Sequence, residues 1–149
     1  MKEEYVPFTF SRIVRPEDLP EYLQMDRDEF ITVRHPFAEY MRAKFREKGV
    51  LQQNVFLAAD LSENYGYKLI AEEKHTVDRD VILRICLAAR FDISETQEAL
   101  ILYGMAPLDI RLPRDHAVAS AMVYGITDHE KINELLVKCG QRPMTKNTD

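Results

Sequence analysis

Apolar side chains recur every three to four residues along most of the chain, and this spacing places them on one face of a helix. The clearest stripe begins after Pro36 and ends before Gly49, a residue type that commonly terminates helices. The stripe consists of Phe37, Tyr40, Met41 and Phe45. Residues 79–90 are apolar on almost every side, which predicts a helix at the centre of a bundle. The chain has no strand-like alternation of apolar and polar residues, so the predicted fold class is all-α.

Two short helices are predicted between these two segments. The first runs from about 51 to 59, with Val55 and Ala59 facing inward, and Asp60 follows it. Ser62 is a favourable N-cap for the second helix, which runs to about residue 71. The inward residues of this second helix are Leu61, Tyr65 and Leu69.

The N-terminal segment is interrupted by prolines. Pro16 to Pro20 resembles a helix start, with proline and carboxylates in the first turn, and the helix is predicted to continue through Phe30. Residues 1–12 are predicted to be an arm. We therefore divide the chain into an arm with a short helix (1–35), a five-helix core (36–104) and a C-terminal helical hairpin with a tail (105–149).

The last four helices are predicted to form two similar hairpins, at 79–108 and 114–144. Each begins with an Arg-Asp pair, which we interpret as a helix-start carboxylate with a tethering arginine. These pairs are Arg79-Asp80 and Arg114-Asp115, and capping boxes are predicted at Ser94 and Thr127. The matching inward stripes are Thr96, Ala99, Leu100 and Tyr103 in one hairpin and Ile132, Leu135, Leu136 and Cys139 in the other. The alternative is that any two capped antiparallel helices share such features.

Composition and charge limit the kinds of partner. Hydrophobic residues make up 46% of the 149, an ordinary balance for a globular domain. The net charge of -5 provides no overall attraction for nucleic acid, so any DNA contact must come from a local patch. No apolar run is long enough for a membrane span and the N-terminus lacks a signal-peptide pattern, so a cytoplasmic location is expected. Cys86 and Cys139 both fall in apolar patterns and are predicted to be buried thiols.

The middle of the chain resembles the phage-repressor (Xre-like) helix-turn-helix family. The resemblance rests on Lys48-Gly49, Gln52, Asp60-Leu61, Ser62 and the Tyr65-Gly66-Tyr67-Lys68-Leu69 segment. It is closer to a subgroup of bacterial regulators in which a Tyr-Gly-Tyr recognition helix leads to two successive Arg-Asp pairs. The resemblance covers about residues 36–144 and implies a repressor-like core whose helix-turn-helix motif spans about 51–71 and whose recognition helix spans about 62–71.

This resemblance implies a DNA-binding surface. Gln52 would meet a phosphate at the first helix N-terminus, while Asn64 and Lys68 would reach base edges or backbone. Glu63 and Tyr67 would also point outward from the recognition helix. The resemblance further implies that Lys44, Lys48 and Lys74 anchor the phosphate backbone.

The chain departs from the family pattern at three places. Phe56 stands where a small residue is usual, and Asp60 stands where glycine is usual. Glu72-Glu73 replaces a glycine followed by a basic residue, which leaves three acids and one base within residues 62–73. These acids favour the alternative that the motif is a scaffold for protein–protein contacts without DNA binding.

Other chemistries have little support in the sequence. The four histidines show no metal-ligand spacing, and the five glycines form no phosphate-binding loop. We therefore expect neither a catalytic site nor a metal or other cofactor. A single helix-turn-helix reads only a few base pairs, so the sequence is interpreted as a homodimer that joins through its C-terminal hairpin and binds double-stranded DNA.

Overall fold

Helices are the only regular elements in the residues that the computed structural model describes, which are 13–25, 30 and 35–145. A 3₁₀ turn at Pro16–Asp18 leads into α1 (Leu19–Gln24). The remaining helices are α2 (Pro36–Lys48), α3 (Gln52–Ala58), α4 (Glu63–Ile70), α5 (Arg79–Ala88), α6 (Ile93–Tyr103), α7 (Pro113–Val123) and α8 (His129–Lys138). The prediction of an all-α fold is confirmed. Helix α1 ends at Gln24, short of the predicted Phe30, and the predicted arm at 1–12 lies outside the described residues.

Helix α2 follows its apolar stripe closely. Pro36 occupies the first turn, where its missing N–H costs nothing. Phe37, Met41 and Phe45 are buried, and Gly49 ends the helix at a φ of 67°, a backbone angle that favours glycine. The sequence prediction for this helix is confirmed.

Helix α5 lies at the centre of the bundle, as its continuous apolar pattern predicted. Every residue from 80 to 87 is buried, and the helix packs against α3, α6 and α8. This central position explains why apolar residues occur on all sides of the helix. Arg84 is the one basic residue in the buried stretch.

Two of the predicted helix caps are wrong by one or two residues. The N-cap of α6 is Asp92 rather than Ser94, and Asp92 and Glu95 exchange side-chain and backbone hydrogen bonds in a complete capping box. The N-cap of α8 is Asp128 rather than Thr127, and its carboxylate accepts from the Glu130 N–H. Each loop offered two polar candidates. In each case an aspartate, which is at least as good a cap as serine or threonine, occupies the position.

The two C-terminal hairpins, α5–α6 and α7–α8, are joined by reciprocal ion pairs. Arg79 of the first hairpin pairs with Asp115 of the second, and Arg114 of the second pairs with Asp80 of the first at 2.9 Å. Both carboxylates are almost completely buried. The Arg-Asp pairs therefore connect the hairpins to each other, which the sequence interpretation as local helix-start features did not foresee.

The same reciprocity extends to the backbone. Each arginine also donates to two carbonyl groups in the loop that ends its own hairpin. Each aspartate accepts one further backbone N–H from the opposite hairpin, Thr145 for Asp80 and Asp109 for Asp115. The two predicted hairpins are offset by 35 residues at their starts (79 and 114) and by 36 at their ends (108 and 144). The same offsets relate these partners, so the hairpins repeat each other in contacts as well as in pattern.

The buried apolar residues form one continuous cluster. It extends from Phe37 in α2 to Met144 after α8, and so crosses the predicted boundary at residue 105. Burial confirms the inward positions of Thr96, Ala99, Leu100, Tyr103, Ile132 and Leu136, and Leu135 is half-buried. The prediction that Cys139 is buried is wrong, because this residue follows the end of α8 and is exposed, whereas Cys86 is buried.

Candidate nucleic-acid interface

Helices α3 and α4 are joined by a tight turn whose geometry the sequence explains. Asp60 adopts a φ of 60°, in the left-handed region that aspartate tolerates better than most residues. The Leu61 N–H then bonds to the Phe56 carbonyl at 2.9 Å, and Leu61 is buried. Ser62 caps α4 by accepting the Tyr65 N–H at 3.2 Å, as its sequence position predicted. Three local interactions thus fix the direction in which α4 leaves the turn.

Phe56 and Gly66 make the close contact between α3 and α4. Phe56 is completely buried, and a Cβ atom placed on Gly66 would lie 2.4 Å from its ring. The Phe56 ring therefore occupies the space that a side chain at position 66 would need. The departure from the family pattern at Phe56 is compatible with a close crossing of the helices because residue 66 has no side chain.

The outward face of α4 carries most of the residues that the resemblance implied. Glu63 and Asn64 are exposed, and Lys68 is half-buried. The Tyr67 side chain is 41% exposed and packs edge-on against Phe56, with 5.1 Å between ring centroids. One side of Tyr67 is therefore used for packing, while the rest remains accessible to a partner.

Helix α3 contributes an uncharged surface beside α4. Its sequence, QQNVFLA, contains no ionisable residue, and Gln52 is half-buried at its first position. Leu51 is 67% exposed and Leu57 is 79% exposed, so the surface is also partly apolar.

Lys44 and Lys48 are engaged within the protein by Glu95. The Lys48 ammonium lies 2.7 Å from the Glu95 carboxylate, and Lys44 lies 3.4 Å from Glu95 and 3.0 Å from Glu47. Burial raises the pKa of Glu95, but the Lys48 ammonium, the Asp92 N–H and Lys44 together hold that pKa below its ordinary value. The positive charges of both lysines are thus partly compensated at the contact between α2 and α6, which the sequence could not indicate.

Glu72 faces the start of α2. It has a φ of 62°, in the left-handed region where the family pattern has glycine. Its carboxylate accepts the Ala38 N–H at 3.4 Å and lies 3.4 Å from the His35 ring nitrogen. A carboxylate is favourable at this site because the free N–H groups of a helix start carry partial positive charge. Lys74 follows the turn with its ammonium 5.7 Å from the centre of the Tyr65 ring.

Arg84 is a buried charge beneath the α3–α4 turn that the sequence analysis missed. Its side chain is 1% exposed, and its Nη1 group donates to the Ala59 carbonyl at 3.0 Å. Burial lowers the pKa of Arg84, and the carboxylates of Asp60 and Asp78 partly offset this effect. The available signal was a single arginine inside an otherwise apolar segment, residues 81–89.

A groove of about 510 Å³ lies between α7 and α8. Positions Ala117, Ser120 and Cys139 line it, and the repeat offsets relate them to larger residues in the first hairpin. These larger residues are Ile82, Ile85 and Tyr103, all of them buried. The groove therefore arises because the second hairpin carries small side chains on this face. The larger side chains at the equivalent positions of the first hairpin are buried, and α2 and α3 pack against that hairpin.

Comparison of the chain with family models, with curated proteins and with solved structures finds no match. Within the described part of the chain, no cluster of three or more His, Cys, Asp or Glu side chains could hold a metal ion. The same residues contain no helix with the length and apolar character that a bilayer crossing requires.

Proposed function

We propose that this protein binds double-stranded DNA through the α3–α4 helix-turn-helix, with α4 as the recognition helix. The supporting observation is the rigid turn that presents Glu63, Asn64 and Tyr67 to solvent. Asn64 has the paired donor and acceptor groups that match adenine in the major groove, and Lys68 fits guanine or a phosphate. The proposal places the protein among transcriptional regulators and requires no cofactor.

The charge distribution defines what such binding would look like. Because Lys44 and Lys48 are paired with acids, few free cations remain beside α4. The phosphate contacts are then assigned mainly to Lys68 and Lys74, and because non-specific binding is almost entirely electrostatic, binding to random-sequence DNA should weaken as salt rises. Engagement of Glu72 at the start of α2 reduces the repulsion that this carboxylate would otherwise exert on DNA.

Fluorescence anisotropy with random-sequence duplex DNA tests the proposal. Wild type is expected to bind at micromolar concentration or tighter at low salt, and the Asn64→Ala, Lys68→Ala double variant is expected to lose this binding. The control is Lys131→Ala, which removes a positive charge from an exposed position on α8. Absence of wild-type binding at low salt, or equal loss in the control, would contradict the proposal.

A second candidate is a protein–protein interaction module that uses the same surface. The observation in its favour is the uncharged α3 segment with its exposed Leu51 and Leu57, together with the partly exposed Tyr67 ring on the neighbouring helix α4. Such a combination of aliphatic and aromatic side chains suits a protein partner better than a phosphate backbone. Leu57→Ser distinguishes the two candidates without adding charge, because it should weaken protein capture at this surface while Asn64→Ala and Lys68→Ala should affect DNA binding more.

We also propose a homodimer that forms through the α7–α8 hairpin. The exposed Ile110 side chain lines the groove, and Leu112, two positions further along the chain, is exposed as well. A pair of recognition helices would read two half-sites and give the affinity that a single module lacks.

Sedimentation measurements at tens of micromolar protein test this association. Wild type is expected to sediment as a dimer, and Ile110→Glu is expected to shift it towards monomer. Val77→Glu serves as the control because Val77 is 94% exposed and lies between α4 and α5, outside the hairpin. A monomeric wild type at this concentration would contradict the homodimer.

A further inference from the structure

We propose that Arg84 is a positioning residue that fixes the α3–α4 turn, and with it the orientation of the recognition helix. Its role in DNA reading rests on the function proposed above. Burial of the Arg84 guanidinium costs stability, and its single hydrogen bond offsets only part of that cost.

Arg84 makes few hydrogen bonds for a buried charge. It is 1% exposed, yet it makes a single hydrogen bond, from Nη1 to the Ala59 carbonyl. Its Nε and Nη2 groups have no acceptor among the described residues. Buried ion pairs and buried charges with so few partners often stabilise a fold less than an apolar side chain of the same volume does. A methionine could fill the same space, so we assign the contribution of Arg84 to the geometry of the α3–α4 turn that it contacts.

The one hydrogen bond of Arg84 is made at a critical point of the chain. Ala59 is the C-cap of α3, and its carbonyl group precedes the left-handed residue Asp60. A donor here holds the direction of a carbonyl group that the end of α3 leaves without a helical partner. Leu61 and Ser62 follow Asp60 directly. The backbone direction at Ala59 therefore determines where Ser62, the N-cap of α4, lies.

Helix α5 is a rigid base for this contact. Asp80, one turn before Arg84 on α5, accepts hydrogen bonds from Arg114 and from the Thr145 N–H. The helix is therefore attached to the second hairpin at its beginning and to the α3–α4 turn through Arg84. This arrangement places the turn under the control of a residue whose hydrogen bond goes to the Ala59 carbonyl and not to an outward side chain of α4.

Amide hydrogen exchange and DNA binding of two variants test the inference. Arg84→Met keeps the volume and removes the donor, whereas Arg84→Lys keeps a donor and a charge. For Arg84→Met we expect an unchanged or higher urea midpoint, together with amide exchange at Leu61 and Tyr65 that is at least about tenfold faster, as loss of a charge-assisted hydrogen bond implies. Arg84→Lys should restore most of the protection at these two amides.

DNA affinity provides the second readout. It should fall about tenfold in Arg84→Met by the same loss, while the control Leu87→Met, another buried substitution on α5, should retain it. If wild type binds no DNA, the proposed function fails, and the exchange rates at Leu61 and Tyr65 still decide whether Arg84 positions the turn. Unchanged exchange in Arg84→Met would overturn the inference, and so would failure of that variant to fold, because Arg84 would then be a residue of general stability.

Discussion

Phe56 and Gly66 determine how closely α3 and α4 can approach each other. A helical glycine normally costs stability, and its replacement by alanine in a helix usually stabilises by about 1 kcal/mol. Here the alanine methyl group would lie 2.4 Å from the Phe56 ring. Overpacking in a core typically costs about 1 to 3 kcal/mol, which outweighs the gain in helix propensity.

A double-mutant cycle at these two residues checks this balance. Gly66→Ala alone is expected to lower the free energy of unfolding by up to about 2 kcal/mol, the difference between the overpacking cost and the propensity gain. In a Phe56→Ala background, where the ring is absent, the same substitution should be neutral or stabilising. Urea denaturation measures both steps. A Gly66→Ala effect that is identical in the two backgrounds would show that the Phe56 contact does not constrain α4.

The two thiols should differ strongly in reactivity. Burial raises the pKa of Cys86 to about 12, so its thiolate is scarce at neutral pH, and the side chain is inaccessible as well. Cys139 is exposed at the end of α8. Titration with a disulfide reagent at pH 8 should therefore detect one thiol in the native protein and two in denaturant. The Cys139→Ser variant should show none before unfolding, and rapid labelling of Cys86 in that variant would contradict the buried position.

At the scale of elements, the sequence predicts features that depend on neighbours along the chain. The stripe of α2, the Gly49 terminus and the Ser62 cap are all local, and each was correct. The caps of α6 and α8 were misplaced because two polar residues compete within each loop, and the choice depends on how the loop is anchored. Contacts between distant residues, such as Lys48 with Glu95, could not be predicted because no local pattern encodes them. Arg84 was missed for the same reason, since its acceptor lies 25 positions earlier.

The reciprocal ion pairs should contribute similar amounts to the attachment of the two hairpins. Asp80→Asn leaves the Arg114 guanidinium without its anionic partner, and Asp115→Asn does the same to Arg79. Each variant should lose about 3 kcal/mol of unfolding free energy, a typical cost of breaking a buried pair. Asp109→Asn is the control, because its partner Arg111 is largely exposed and should contribute little. Urea denaturation compares the three, and an effect at only one of the buried aspartates would contradict the equivalence of the hairpins.

The Asp80 carboxylate also predicts how stability depends on pH. Burial raises the pKa of Asp80, but hydrogen bonds from Arg114 and the Thr145 N–H hold it below the ordinary value of 3.8. A group whose pKa is lower in the folded state stabilises the fold above its unfolded pKa, and this contribution disappears as pH falls through the folded pKa. The free energy of unfolding should therefore decrease below about pH 3.8, and less steeply in Asp80→Asn. Parallel pH profiles for the two proteins would exclude this carboxylate as a source of acid sensitivity.

At the scale of the whole molecule, one continuous core connects the α3–α4 surface to the second hairpin. Helix α5 belongs to both regions, since it contacts α3 on one side and α8 on another. The all-α class was predictable from periodicity alone. The balance of charge on the α3–α4 surface could not be predicted from periodicity, because it depends on contacts between distant residues. Glu95 of α6 pairs with Lys48, and Glu72 accepts the Ala38 N–H at the start of α2. The proposed DNA binding therefore relies on the polar side chains of α4 itself, because Lys44 and Lys48 are paired with Glu95.

The most direct test of DNA reading by α4 is amide chemical-shift mapping of the ¹⁵N-labelled protein during titration with duplex DNA. Under the proposed DNA reading, the shifts should concentrate at Gln52, at residues 62–68 and near Lys74, while amides of α8 remain in place. Shifts confined to the α7–α8 hairpin, or no shifts at low salt, would contradict it.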